Sequence, residues 1–384
     1  MTKLFAPITL RKITARNRLV VSPMCNYSAQ DGFINDWHLV TLGRYAQGGA
    51  GIVFVEASAV QAVGRITHGD VGIWKDEQIA GLKRVADFIR SQNSVPAIQI
   101  AHAGRKASMA RPWYGNGPLT QADTERGDIA WPTLAPCADP VAEGWQVPRA
   151  MSLDDIARLQ SDFVAAAGRA ERAGYDILEM HCAHGYLMHS FLSPMTNHRA
   201  DAYGGDFEGR TRIVIEIAGK LRAAWPGNKP LFVRISAVDD FDGGWEIGDS
   251  VRLAMKLKAI GVDVIDCSSG GISGSATGAT AVVPRTPRKP LFQVPYARQI
   301  KHEAGIATMA VGLILTPQQA AKITDDNEAD LIAIGREAID DPNWPVHAAQ
   351  ALGVDTEHAF WPKQFGWWLN VRHGILRKLG LSKF

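Results

Sequence analysis

A (β/α)8 barrel is the fold this 384-residue sequence predicts, and three observations predict it. Eight short apolar runs rich in Val and Ile recur along the chain. Amphipathic helical stretches fit between several of them. Most runs end at a glycine or a polar residue, and the C-terminal ends of strands are where barrel enzymes keep their chemistry.

The runs read "RLVVSPMC" (18–25), "GIVFVEAS" (51–58), "PAIQIAHAG" (96–104), "YDILEMH" (175–181), "LFVRIS" (231–236), "VDVIDCSSG" (262–270), "IATMAVG" (306–312) and "DLIAIGRE" (330–337). Their apolarity is unbroken rather than alternating, which suits parallel strands buried on both faces. The stretch 152–175 has the marks of a helix. Ser152 supplies a capping oxygen, and Asp154 and Asp155 place negative charge at the positive end of the dipole. Gly174 can take the left-handed position that ends it. Stretches 249–261 and 316–329 repeat the pattern. Residues 105–150 break it: they are rich in Pro, Gly and Trp without a period, and read as a capping excursion after the third strand. In the tail, 347–384, the segment "FWPKQFGWWLN" holds three tryptophans in eleven residues. Such density reads as an interface or pocket wall, or as a helix packed on the barrel. No linker divides the chain, so 1–384 is predicted to be a single domain.

Composition narrows the function. Hydrophobic residues make up 46% and charged residues 21%, as in a globular protein with a sizeable core. Net charge is 41 − 39 = +2, with no long basic run, which argues against a nucleic-acid or membrane-surface role. Cys25, Cys137, Cys182 and Cys267 show no C-x-x-C spacing, so a zinc ribbon or a cysteine-held iron–sulfur cluster is not expected. Scattered thiols, and an N-terminus whose apolar stretches are broken by Lys3, Arg11, Lys12 and Arg16, predict a cytoplasmic protein.

The strand ends deliver a particular set of residues: Ser22 to Cys25, Ala57, Gln99, His181 and His184, Arg234, Ser268 with Gly270 and Gly271, Gly312, and Gly335 with Arg336. The last groups resemble a phosphate cradle, because glycines let backbone N–H groups approach and an arginine supplies charge. Gln99 and Arg234 point inward in a barrel. They suit a flat heteroaromatic cofactor, Gln offering donor and acceptor and Arg stabilising negative charge on a reduced ring. The alternative is a salt bridge from Arg234 to Asp239 or Glu179. The stretch "HCAHGY" at the end of the fourth run leaves three readings open. His181 and His184 could ligate the metal of a barrel hydrolase or lyase, although no third ligand is apparent. They could hold one substrate oxygen while Tyr186 donates a proton. Or they could form a polar corner without chemistry.

Taken together, "NRLVVSPMCNYS", "WHLVTLGRYAQGGAGIVFVEASAV", "AIQIAHAGRKA", "HCAHGYLMHSFLSPMTNHRADAYGG" with "EGRTR", "FVRIS" and "ADLIAIGREAIDDPNW" resemble the Old Yellow Enzyme family of flavin-dependent ene-reductases, in its xenobiotic-reductase and thermophilic-type branch. The resemblance implies a non-covalent FMN. Ser22, Pro23, Met24, Ala57, Gln99 and Arg234 would contact the isoalloxazine or ribityl chain. Gly312, Gly335 and Arg336 would hold the phosphate, with Ser268, Gly270 and Gly271 nearby. Cys25 would sit beside the flavin and tune its potential. Tyr27 would line the substrate pocket, with Lys106 at its rim and Trp367 or Trp368 as a further wall. His181 and His184 would grip the substrate oxygen, and Tyr186 would be the proton donor. The implied activity is NAD(P)H-dependent reduction of activated C=C bonds, and of nitro compounds, by a homo-oligomer, dimer or tetramer. Cys182 departs from the family, which usually has glycine there.

Overall fold

The computed structural model describes residues 2–273 and 285–381. It contains a closed parallel barrel whose strands are β1 (Leu19–Val21), β2 (Ile52–Ala59), β3 (Val95–Ala101), β4 (Ile177–Cys182), β5 (Leu231–Ser236), β6 (Val264–Ser268), β7 (Ala307–Ala310) and β8 (Leu331–Ile334). Each pairs with its neighbours in chain order, and β8 closes on β1 through Ile332↔Leu19 and its successors. All eight apolar runs are therefore strands of one barrel. Unbroken apolarity fits because the outer face packs under helices while the inner face fills the barrel.

Helices fill the connections, among them Asp36–Gln47, Ile79–Ser91, Leu153–Arg172, Phe207–Ala224, Ile247–Ile260, Val294–Ala304 and Pro317–Asp325. Local chemistry sets their ends. Ser152 Oγ accepts from the Asp155 N–H at 3.1 Å, and the Asp155 carboxylate accepts from the Ser152 N–H at 2.9 Å, a reciprocal cap. Gly261, at φ +101°, ends Ile247–Ile260 in the left-handed conformation.

A two-stranded hairpin, Ile8–Leu10 with Ile13–Ala15, was not visible in the sequence pattern. It plugs the N-terminal end of the barrel: Ile8, Leu10, Ile13 and Ala15 pack with Val20, Ile52, Phe54, Phe232 and Val264. Arg11 at its turn clasps Asp263 through Nε at 2.8 Å to both carboxylate oxygens. The floor is thus closed and apolar, and polar side chains are left to the opposite rim.

The excursion after β3 forms short helical turns, a helix at Gln121–Glu125 and two-residue strands at Leu134–Ala135 and Arg149–Ala150. Trp131 donates from Nε1 to the Val63 carbonyl at 3.0 Å and meets His68 edge-on at 4.8 Å, tying the excursion to the loop after β2. The tail helix, Lys363–Lys378, buries only Gly366. It does not pack on the barrel in a single chain. No helix among the described residues is long and apolar enough to cross a membrane.

Candidate active site

Alternate residues of a strand face the barrel axis. The inward face is apolar at the floor, with Val20, Ala97, Ile177, Phe232 and Val264 in one cluster. Two residues further on, the same face carries Ser22, Gln99, Glu179, Arg234 and Asp266; two more give His181, Ser236 and Ser268. The period of the strand thus concentrates polar groups at one rim. There a cavity of about 610 Å3 opens. Its wall includes Ser22, Pro23, Met24, Lys106, His184, Tyr186, Arg234, Ser268, Gly270, Gly271, Gly312, Gly335 and Arg336. Residues from six strand ends and one excursion therefore meet at a single site.

Several anticipated residues stand behind that wall. His181 is 4% exposed, its ring 5.1 Å from those of both His184 and Tyr186. Gln99 is buried, and its Nε2 donates to Glu179 Oε1 at 2.8 Å. Ala57 borders a smaller second cavity that also touches Tyr186. Cys25 and Tyr27 pack, with Tyr186, against Ile66, Ala103 and Met109. Trp367 and Trp368 are elsewhere: they stand 60% and 65% exposed on the tail helix, absent from the cavity wall of this chain. Aromatic density and the family resemblance signalled them, and that helix buries only Gly366 in this chain. Cys182 is fully buried, its thiol pushed up by burial, so in this chain it is a packing residue.

Arg234 does not pair with Asp239 or Glu179. Its Nε lies 3.2 Å from Asp266 Oδ2, and its Nη1 donates to Ser22 Oγ at 2.9 Å. Period two explains this, since β5 and β6 place Arg234 and Asp266 side by side in register. Burial raises the Glu179 carboxyl well above its usual range, with Asp266 adding and Arg234 opposing. Burial likewise raises Asp266, against Arg234. One cation facing two buried carboxyls in a low-dielectric interior keeps a proton on the cluster.

The turn after β4 is built for close approach. His184 sits at φ +61°, a conformation that non-glycine residues adopt at a cost, often at functional sites. Gly185 follows at φ +73°; a Cβ there would lie 2.1 Å from the Gly271 carbonyl oxygen. A Cβ on Gly271 would lie 2.6 Å from the His184 Cα. Only glycines let these two loops touch. Lys106 clasps them, donating from Nζ to the His184 carbonyl at 3.0 Å and to that of Gly271. Burial pushes its ammonium down to about 7. The Gly185 N–H donates to His189 Nδ1 at 2.8 Å, and His189 Nε2 donates in turn to Asp239 Oδ1 at 2.7 Å.

Hydrogen bonding fixes the His181 tautomer. His181 Nδ1 accepts from the Ala183 N–H at 3.1 Å, so its proton is on Nε2. His184 Nε2 lies 2.7 Å from Ser268 Oγ. Burial, with Arg234 nearby, pushes both imidazoles well below their usual range, so both are neutral at physiological pH. Burial pushes the Tyr186 phenol and the Cys25 thiol up, so each keeps its proton. Among the described residues, no three His, Cys, Asp or Glu side chains are grouped to hold a metal.

The site fits the flavin mononucleotide that the resemblance implies. The cavity is of cofactor size. Arg234, buried and cationic, faces it from the barrel side, and exposed Arg336 stands at the other end beside Gly312 and Gly335. At Gly312, φ is +111° and a Cβ would lie 2.5 Å from Gln293 Oε1. Gln293 itself donates to Ser269 Oγ at 2.8 Å. Gly312→Ala is expected to destabilise the apoprotein by more than about 1 kcal/mol, measured by thermal unfolding, and to weaken FMN binding. Sequence reasoning missed Asp266, Gln293 and the His189–Asp239 pair. A period-two reading of "VIDCSS" would have found Asp266; the others carry no periodic signal.

Residues 3–355 match the NADH:flavin oxidoreductase / NADH oxidase family. An NADPH dehydrogenase of Bacillus cytotoxicus is 43% identical over 357 residues, 92% of this chain and 94% of that protein. An NADH:flavin oxidoreductase of Gibberella zeae is 42% identical over 373 residues, 93% of this chain and 88% of that protein. Among solved structures, Old Yellow Enzyme from Pichia sp. AKU4542 superposes with a TM-score of 0.72 at 22% identity, covering 92% of this chain and 88% of that one. The last likeness speaks to fold alone.

Proposed function

The chain belongs to the NADH:flavin oxidoreductase / NADH oxidase family, among the Old Yellow Enzyme relatives, and from that premise we propose that it reduces activated C=C bonds of enones, enals and maleimides, and also nitro compounds, in two half-reactions that share one cavity. Flavin-dependent oxidoreduction with NAD(P)H is the activity of the family. Bound FMN supplies hydride storage between the two half-reactions.

The observation that supports this reading best is the grouping of His181, His184 and Tyr186, with ring centroids 5.1 Å apart in both contacts of His181. His181 presents an Nε2–H that cannot move to Nδ1 without losing the Ala183 bond. His184 reaches the same region from a left-handed turn clasped by Lys106. Neutral imidazoles give hydrogen bonds to a carbonyl or nitro oxygen without giving up a proton to it. That draws electron density from the conjugated bond and prepares the β-carbon. The Tyr186 phenol, held protonated by burial, is a weak acid; a developing carbanion is a far stronger base and takes its proton. Arg234 would supply positive charge to a flavin pyrimidine, Ser22, Pro23 and Met24 would wall it from the cavity, and Cys25, Ala57 and Gln99 would support it from behind. Ser268, Gly270, Gly271, Gly312, Gly335 and Arg336 would receive the ribityl phosphate. Tyr27 and Lys106 border the substrate.

The metal-dependent alternative finds no third ligand beside His181 and His184 among the described residues, and both rings are already engaged in hydrogen bonds, His181 Nδ1 with the Ala183 N–H and His184 Nε2 with Ser268 Oγ. Anaerobic stopped-flow reduction with NADH and with NADPH, then reoxidation by a panel of enones, maleimides and nitro compounds, tests the proposal. Rapid bleaching by one nucleotide and recolouring by cyclohexenone or maleimide are expected. A reduced protein that none of these reoxidises contradicts it.

A further inference from the structure

Glu56 takes no part in the function proposed above, yet it is only 1% exposed. Strand period puts it in phase with Ile52 and Phe54, which pack inside the barrel. However, β2 gains a residue there. Val55 pairs with Ile98 and Ser58 with Ile100, three steps along β2 against two along β3. A bulge of this kind re-aims side chains.

Glu56 accordingly reaches the loop after β1 and the helix Asp36–Gln47. Its Oε2 accepts from the Asn26 N–H at 2.9 Å and from Asn26 Nδ2 at 2.5 Å. Asn26 Nδ2 also donates to the Met24 carbonyl at 3.0 Å, and Trp37 Nε1 donates to Asn26 Oδ1 at 3.2 Å. The residue enclosed by this grip is Cys25. Tyr27 follows at φ +50°, a left-handed conformation that costs a non-glycine residue, so the chain turns sharply just past the cysteine.

The second carboxylate oxygen has a different situation. Glu56 Oε1 is buried without a hydrogen-bond partner, and so is His38 Nε2, which stands 3.8 Å away. That is beyond a hydrogen bond. Holding Asn26 uses Oε2 alone. Charge so poorly screened acts on its surroundings. Burial first, then Glu56 and Asp70, push the Cys25 thiol up, against the Ala57 N–H and the Tyr27 hydroxyl. Asp70 is itself buried, and Tyr186 packs in one cluster with Cys25 and Tyr27.

This inference rests on the flavin reading, in which Cys25 lies beside the redox ring. We propose that Glu56 is a positioning residue for Cys25, seating the thiol against that ring through Asn26 and setting a fixed negative charge behind it. The seat places the sulfur. The charge keeps the thiol in its neutral, less reactive form.

Alkylation of Cys25 in the FMN-bound protein at pH 9, followed by mass spectrometry of its peptide, compares neutral iodoacetamide with anionic iodoacetate. Glu56→Gln keeps an oxygen for Asn26 and removes the charge. It should speed iodoacetamide about tenfold by raising the thiolate fraction, and iodoacetate by a larger factor, because the anionic reagent also escapes repulsion. Asn26→Ala keeps the charge and loses the Nδ2 grip, so both reagents should speed up by one common factor. Equal acceleration of the two reagents in Glu56→Gln marks a structural role only and overturns the inference, as do unchanged rates. If Glu56→Gln does not fold, Asn26→Ala decides alone: a common rise supports the seat and unchanged rates overturn it. In wild type, alkylation of Cys25 should shift the visible flavin band. Alkylated Cys25 with an unmoved band removes the reading that sets it beside the flavin, and this inference with it, whatever the Glu56 variant shows.

Discussion

Tyr186→Phe is expected to slow flavin reoxidation by cyclohexenone by a factor of about 10² to 10⁴, the usual worth of a positioned general acid, while reduction by NAD(P)H stays within about twofold. The reason is geometric and chemical together. Tyr186 sits at the end of the left-handed turn, with its ring edge-on to His181 at 5.1 Å. Its neighbours Ile66, Ala103, Ala107 and Met109 are apolar and hold the ring without competing for the hydroxyl. Phe keeps the ring and loses only the proton. Hydride arrival from nicotinamide needs no proton from this position, so the two half-reactions should separate. Rapid-mixing spectroscopy of each half-reaction checks this. Equal loss in both steps would mean that Tyr186 shapes the cavity and does not protonate substrate.

The second large effect is expected at Arg234. Arg234→Met keeps the length of the side chain but leaves Asp266 and Glu179 buried without their cation. Removing one partner of a buried ion pair costs roughly 3–5 kcal/mol. The variant should lose FMN on gel filtration and unfold at a markedly lower temperature. Its pH dependence follows from the direction of the carboxyl shifts. Burial already raises both acids and Arg234 draws them back, so removing Arg234 raises them further. An acid whose pKa is raised by folding favours the native state below its unfolded pKa, and that contribution is lost as pH rises through the folded value. The stability deficit of Arg234→Met should therefore be smaller at pH 5 than at pH 8. Thermal unfolding across that range measures it, and a deficit that grows on acidification would contradict the assignment of Arg234 as the cation of this cluster.

Much of this was legible in the sequence because strand periodicity carries it. Each of the eight apolar runs overlaps a barrel strand, and the polar residues at their ends reach one rim because successive inward positions differ by two. The hairpin at Ile8–Ala15 escaped notice because its three-residue strands are too short for a pattern. Asp266 escaped because Arg234 was matched with Glu179 and Asp239, when register places it beside Asp266. Asp70 and Gln293 lie on loops, where no period predicts which side chain turns inward. The cluster "GWW" announced an interface, a pocket wall or a packed helix, yet nothing in the sequence says whether a helix rich in tryptophan packs on its own barrel. In this chain it leaves Trp367 and Trp368 exposed.

The visible absorption spectrum of the purified protein, recorded without oxygen after equilibration with FMN, bears most directly on the convergence of these strand ends on one redox ring. A yellow protein with FMN bound in equal number to chains, bleached by NADH or NADPH and losing its colour in Arg234→Met, is the predicted result. A protein that takes up no flavin, or binds it equally well without Arg234, would contradict the account.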